Sequence, residues 1–163
     1  ATTSGADTLV IEPAHLDPAL TAVRALFRQY AASLKVDLGY QDFDAELAQL
    51  PGVYAPPAGC LLLCRVGELP AGCVSLRRIH ENVGEMKRLF AHPQSRGRSI
   101  GRRLSEAVIT RAKDAGLSGL RLDTLSDMAS AQALYRRLGF VDIAPYYDSP
   151  VAGTCFMELD LSR

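Results

Sequence analysis

The sequence predicts a single α+β domain over residues 1–163, built on a mixed, mostly antiparallel sheet of six to seven strands with about four helices around it. Three observations carry this. Helical and strand periods succeed one another as strand, helix, helix, three strands, helix, strand, helix, two strands. The middle of the chain is a run of apolar stretches parted by short turns, which makes antiparallel neighbours, and the strand–helix–strand–helix passage after it turns the sheet mixed and sets helices on both faces. The 163 residues contain no repeat, low-complexity tract or linker, and a chain of this length can bury roughly 70% of its unfolded surface in one core.

Element by element, Thr8–Ile11 reads as a short strand. Asp17-Pro18 starts a helix, with Asp17 at the N-cap and Pro18 at the first helical position, where its missing N–H is not needed. Leu20, Val23, Leu26, Phe27, Tyr30 and Leu34 then recur at helical spacing to about Lys35. Asp42 can cap a second, shorter helix with Phe43, Leu47 and Leu50 on one face, ended by Pro51-Gly52. Pro51 to Gly59 is loop. Cys60–Val66 and Gly72–Ile79 form an antiparallel hairpin around Gly67-Glu68, and Gly84–Ala91 is the next strand. Ile100, Leu104, Ala107 and Val108 line one face of a helix that Gly116 ends. Leu120–Leu125 alternates like a strand. Ala131, Leu134, Tyr135 and Leu138 make another helical face, closed by Gly139 at C′. Phe140–Ile143 and Thr154–Leu161 close the sheet around a Pro/Tyr/Asp loop.

Composition narrows the function classes. Lys and Arg number 18 and Asp and Glu 18, so no global charge points to nucleic acid or an anionic surface. No apolar run approaches a membrane span, and Ala1–Gly5 shows no signal-peptide pattern, so a cytoplasmic protein is expected. Cys60, Cys64, Cys73 and Cys155 lack C-x-x-C spacing and read as reduced thiols, and His15, His80 and His92 lack ligand spacing, so no metal is expected. The neutral total is uneven. Lys87 to Lys113 holds eight basic residues against Glu106, whereas Ala1 to Ala58 holds seven acids against Arg24, Arg28 and Lys35.

The chemistry concentrates in Glu85–Leu104, which runs strand, glycine-containing loop, helix start. The first N–H groups of a helix have no intrahelical acceptor and carry partial positive charge, so a phosphate or pyrophosphate suits them. Arg96, Arg98, Arg102 and Arg103 add charge there. Neither G-x-x-x-x-G-K-[ST] nor G-x-G-x-x-G is present, and a plain turn beside a solvated arginine face explains the segment equally well by itself. The cluster lacks helix-turn-helix, RNP and zinc signatures, and its aromatics are not interleaved with arginine, so nucleic acid is not expected as a partner.

Arg96-Gly97-x-Ser99-Ile100-Gly101-x-x-Leu104, followed after a strand by Ala131-x-x-Leu134-Tyr135-x-x-Leu138-Gly139-Phe140, resembles the GNAT family of acetyl-CoA-dependent N-acetyltransferases over roughly Gly72 to Leu161. Leu122-Asp123-Thr124, Met128 and Tyr146–Pro150 look like a bacterial-type subgroup of it. The resemblance implies acetyl-CoA as co-substrate and a primary amine of a small molecule, or an exposed protein or peptide amine, as acceptor. It also implies a GNAT-like sheet in which the strand before the loop splays from its neighbour. Leu89, Phe90 and Ala91 would then meet the pantetheine arm, with the backbone of Leu89 and Ala91 pairing to it. Arg96, Gly97, Arg98, Ser99, Ile100, Gly101 and Arg102 would hold the pyrophosphate, and Arg98 and Arg103 approach the 3′-phosphate. Ser99 stands where the family has a middle glycine, and Met128, three before Ala131, where it often has Asn.

The resemblance makes Tyr135 the acid for the departing thiolate, and Leu89 N–H the donor to the oxyanion. Tyr135 also fits the apolar face of its helix as a plain core aromatic. Glu85 is the candidate base, or a strand-edge carboxylate paired with Lys87 or Arg121, with a water chain as the alternative base. Acceptor-binding candidates are Tyr40, Arg78, Tyr146 and Tyr147, with Asp37, Tyr54 and Asp148 beside them. The acidic first part of the chain would suit a cationic amine, whereas Arg78 would suit an acceptor with its own carboxylate. The family often dimerises, and nothing in this sequence decides that. Ser99 and Met128 also permit a non-catalytic CoA-binding or sensor module on the same fold.

Overall fold

The computed structural model describes residues 8–95 and 97–162, with the side chain of Tyr40 left outside that description. Seven strands form one sheet in the order β1-β2-β3-β4-β5-β7-β6. They are β1 Leu9–Pro13, β2 Cys60–Val66, β3 Leu69–His80, β4 Val83–Ala91, β5 Gly119–Thr124, β6 Val141–Asp142 and β7 Cys155–Asp160. Four helices, α1 Ala19–Ser33, α2 Phe43–Gln49, α3 Ile100–Asp114 and α4 Ala129–Arg137, complete the order expected from sequence. All neighbouring strands are antiparallel except β4 and β5. That parallel pair is joined by the crossover through α3, the connection parallel strands require.

Strand alternation sorts the side chains into two layers. On one face Leu62, Val74, Leu76, Met86, Leu120 and Leu122 pack against Ile100, Leu104 and Val108 of α3 and Tyr135 of α4. On the other, Leu61, Leu63, Cys73 and Phe90 pack against Val23, Leu26 and Phe27 of α1 and Phe43 of α2. Each such fully buried side chain contributes about 1.5–3 kcal/mol of transfer free energy. Gly72 permits the close seat of α3, because a Cβ there would lie 2.7 Å from the Phe90 carbonyl oxygen and 2.8 Å from Ile100 Cγ2. Helix α4 ends in a Schellman motif, Gly139 N–H to Arg136 O and Phe140 N–H to Tyr135 O, with Gly139 at φ +104°.

Several boundaries differ from expectation. Helix α1 begins one residue later, with Pro18 at the N-cap position, while the Asp17 carboxylate accepts from Thr21 N–H at 3.0 Å and Thr21 Oγ1 at 2.6 Å. Asp42 does precede α2 but caps nothing with its side chain, since its backbone is left-handed at φ +54°. Strand β3 starts earlier, at Leu69, because the ladder to β2 continues through an irregularity at Cys64/Arg65. Cys60, Cys64 and Cys73 are buried free thiols, and Cys155 is half-buried.

Candidate active site

Strand β4 carries two ladders at its start and one at its end. Val83, Gly84 and Glu85 pair with Gly119, Leu120 and Arg121 of β5, and the register then stops while the pairing to β3 goes on to Ala91. Strand β5 turns instead to β7, matched to it as far as Thr124↔Cys155. A cleft opens between them. It is lined by Met86 to Leu89 from β4, Asp123 to Leu125 from β5, Met128, Ala131 and Tyr135 from α4, and Tyr30 and Leu34 from the α1 side. Thr124 Oγ1 on this lining is buried without a hydrogen-bond partner.

A bulge sets what β4 shows to each face. Ser75 pairs with Lys87 but Cys73 with Phe90, so β4 spends one residue more than β3, and Arg88 takes φ +61° there. Both basic residues therefore turn toward α1 and α2. Arg88 stacks over Phe43 at 5.1 Å and donates from Nε and Nη2 to the two Glu46 oxygens, each at 2.9 Å. Burial alone would lower the pKa of this guanidinium, yet Glu46 carries it well above the ordinary value. Lys87 donates to Gln41 Oε1 at 3.2 Å and lies 3.9 Å from Glu85. Burial pulls its pKa down, and Glu85 and Asp123 only partly restore it.

At the far end of β4, Gly97 has φ +91° with open space where a side chain would stand, and Ser99 is at φ +57° as the N-cap of α3. The position that favours glycine is thus left-handed and carries serine, whose hydroxyl makes no cap bond. No acidic side chain occupies the first turn, so the N-terminal N–H groups face outward without a carboxylate.

Beyond α1 and α2 the same face is ionic. Glu85, only 1% exposed, accepts from Arg77 Nε at 2.8 Å and Tyr146 Oη at 2.6 Å. Burial alone would raise its pKa, but Lys87, the Tyr146 hydrogen bond and Arg77 together hold it below the ordinary glutamate value. Tyr147 donates to Asp123 Oδ2. The rings of Tyr146 and Tyr147 both meet Phe156 edge-on at 5.2 Å, and Arg121 lies over Tyr146 at 5.3 Å. A second cavity here is lined by Arg77, Glu85, Lys87, Tyr147 and Asp148, with Gln41 and Glu46 opposite.

The structure brings together Leu89, Met128, Ala131 and Tyr135 in the cleft, and Glu85, Tyr146 and Tyr147 at the second cavity. Tyr135 is 6% exposed and packs on Phe140 at 5.7 Å; burial, Tyr30 and Asp123 raise its pKa, so its hydroxyl keeps its proton. Phe90 packs on Tyr30 at 6.1 Å, and Ile100 is core. Ala91 packs on the α3 side, whereas Gly101 and Arg102 form the first turn of α3. Arg102 is exposed and bonded to Glu106 at 2.7 Å, and Arg98 is exposed too. Arg96 and the Tyr40 side chain lie outside the described residues.

Arg78 is a correction in place: it sits at the β3–β4 hairpin end, bonded to the Glu81 carbonyl, and its neighbour Arg77 reaches the cavity instead. Tyr54 is core and Asp37 caps a 3-10 turn through Gly39 N–H. Lys87 and Arg88, which open the basic segment that runs to Lys113, turn to the second cavity and to Glu46 of α2 rather than to the start of α3. Asp123 and Arg77 carry one sequence signal, the polar phase of strands that otherwise alternate with leucine, whereas Thr124 occupies the leucine phase of β5 and carries none of that kind.

Residues 20–140 match the model of the family described as acetyltransferase (GNAT). An uncharacterized N-acetyltransferase of Schizosaccharomyces pombe is 35% identical over 145 residues, which span 86% of this chain and 87% of that protein. A protein of Azospirillum brasilense named IAA acetyltransferase is 40% identical over 111 residues, 66% of this chain and 71% of its own. Among solved structures, an acetyltransferase of Streptococcus agalactiae superposes with a TM-score of 0.76 at 20% identity, covering 93% of this chain and 98% of that one. A Salmonella typhimurium structure solved with its cofactor acetyl-CoA gives 0.70 at 20% identity over 96% and 95%.

Proposed function

Because the chain belongs to the acetyltransferase (GNAT) family, we propose that it transfers the acetyl group of acetyl-CoA to a primary amine of a small molecule or an exposed peptide. The observation that carries this reading is the opening of β4 from β5 after Glu85↔Arg121, which leaves a strand edge and a cleft lined by β4, β5 and α4. The residues present fit acetyl-CoA on two further counts. Thr124 Oγ1 is an orphaned buried hydroxyl in the cleft, and the acid-free first turn of α3 offers N–H donors to a pyrophosphate.

When bound, acetyl-CoA supplies an acetyl group activated as a thioester. Leu89, on the cleft lining, and Ala91 further along β4 would offer backbone groups to the pantetheine arm, with Met128 and Ala131 on the same lining. The loop from Arg96 through Gly101, with Arg102, would hold the pyrophosphate, and Arg98 would add charge near the 3′-phosphate. Tyr135, protonated and on the cleft wall, holds a proton for the leaving sulfur. Glu85 fixes Arg77 and Tyr146 at the acceptor side; with both oxygens taken and its pKa lowered, it is a poor proton acceptor. Tyr146, Tyr147 and Arg77 shape the acceptor cavity. The ionic lining fits a polar acceptor.

The test is CoA release across alkylamines, amino acids and peptides, with acetyl-CoA affinity measured alongside. Tyr135→Phe should lower kcat by about 100-fold or more while acetyl-CoA affinity holds. Binding of acetyl-CoA with no amine ever acetylated would leave a CoA-binding module instead.

A further inference from the structure

The two cavities share Lys87 and its hydrogen-bond partner Gln41, which line both. Glu85 faces only the second, whereas the cleft that holds Tyr135 contains a single carboxylate among its described lining residues, Asp123. Its position follows from the register. Glu85 and Arg121 are the last matched pair, so Lys87 and Asp123, two residues further on each strand, lie on that same face just beyond it, where the strands are no longer paired. Both side chains line the cleft, and Lys87 lines the second cavity as well. Tyr147 fixes one oxygen of Asp123 and leaves Oδ1 for another partner. The charged and titratable groups around Asp123 are Lys87 from β4, Tyr135 from α4, and Tyr146 and Tyr147 from the loop; from β7 its paired residue is the uncharged Phe156.

We propose that Asp123 is the catalytic residue that takes the proton from the acceptor's ammonium group, with Tyr147 as its positioning residue. This rests on the acetyl-transfer reading. Asp123 removes one proton from the ammonium and passes it to solvent. The neutral nitrogen forms its bond to the acetyl carbon as the carbon–sulfur bond breaks. The sulfur takes the Tyr135 proton, and the proton the nitrogen then loses restores Tyr135. The sum is amide, thiol and one proton released.

The experiment compares the wild type with Asp123→Asn, Asp123→Glu and Tyr147→Phe, using an alkylamine from the panel and trifluoroethylamine, which is already neutral at neutral pH. With the alkylamine, Asp123→Asn should lose about 100-fold or more in kcat while acetyl-CoA affinity stays within about twofold. With trifluoroethylamine the loss should be at most about tenfold, because the proton to be removed is already gone. Asp123→Glu should recover part of the rate, and Tyr147→Phe should lower kcat with the alkylamine by about 3- to 10-fold. Equal losses with both amines, or a kcat near wild type in Asp123→Asn, would overturn the assignment. Should Asp123→Asn fail to fold, an unchanged kcat in Tyr147→Phe together with no partial activity in Asp123→Glu would overturn it as well. A wild type that binds acetyl-CoA but acetylates neither amine would sink the acetyl-transfer reading itself.

Discussion

Under α3 and α4, Val74, Leu76, Met86 and Leu120 meet Ile100, Leu104 and Val108 in an apolar layer; on the reverse of the same strands, Arg77, Glu85 and Lys87 lie beside Arg88, and Tyr146 reaches in from a distant loop. The two sides differ in what makes them stable. The first needs only side chains of suitable volume. The second needs named partners, because an unpaired buried charge costs more than the pair yields. The difference locates the chemistry: helix cover ends on the second side, and the strands there carry ionisable groups instead.

Removing a partner on the ionic side should cost most. Arg88→Ala strands Glu46 and is expected to lower stability by about 3–5 kcal/mol, measured by urea unfolding. A loss below about 1 kcal/mol would show that this side does not depend on pairing. Leu104→Ala, fully buried in the apolar layer, should cost about 2–5 kcal/mol, scattered by how far α3 can collapse into the space.

The next effect separates the sides by pH. Glu85 has a lowered folded-state pKa, so its contribution is present above the unfolded glutamate pKa of about 4.3 and lost as pH falls through the folded value. Stability measured against pH should therefore fall on the acid side in the wild type and fall less in Glu85→Gln, whereas Leu104→Ala should keep the wild-type slope. A Glu85→Gln curve parallel to the wild type would remove Glu85 from the acid response.

Smaller effects sharpen the picture at the helix start. Ser99→Gly removes a left-handed serine and should gain about 1 kcal/mol, read as a higher unfolding midpoint. The exposed Arg102–Glu106 pair sets the lower end: Arg102→Ala should change stability by about 0.3–0.5 kcal/mol, while weakening CoA binding if the phosphates sit there.

What the sequence discloses follows the same division. Helical and strand spacing foretells the seven strands and four α-helices in their order, because periodicity is a local property, whereas the 3-10 turns at Leu38–Gln41, Gly52–Tyr54 and Pro93–Ser95 are too short to show a period. The glycine-containing loop and the helix face that carries Tyr135 are legible as local patterns, while the roles proposed for them come from the family resemblance. Sequence places Glu85 beside Lys87 or Arg121, and Lys87 does lie 3.9 Å away, but the shortest contacts are to Arg77, across a hairpin, and Tyr146, sixty-one residues away. Arg88 shares a basic segment with the arginines ten residues on, yet the bulge sends it to α2. Pairings set by three-dimensional register leave no periodic trace in one chain. What does show is a break in alternation: Lys87-Arg88 puts two charges in succession inside a strand.

That break has a consequence for how the gene can change. Before the bulge, even-numbered β4 residues such as Met86 face α3; after it, odd-numbered Leu89 and Ala91 do. The extra residue acts like a frame shift written into the protein. Deleting Arg88 while keeping the ladder would leave an unbroken strand with every face kept, Leu89 toward α3 and Phe90 toward α1, and would remove only the ion pair to Glu46 and the stack on Phe43. Single substitutions along this strand can be compensated one at a time. A one-codon deletion at Arg88 spares the ladder but leaves Glu46 without its partner, so lineages that lose this residue should also have lost the charge at position 46.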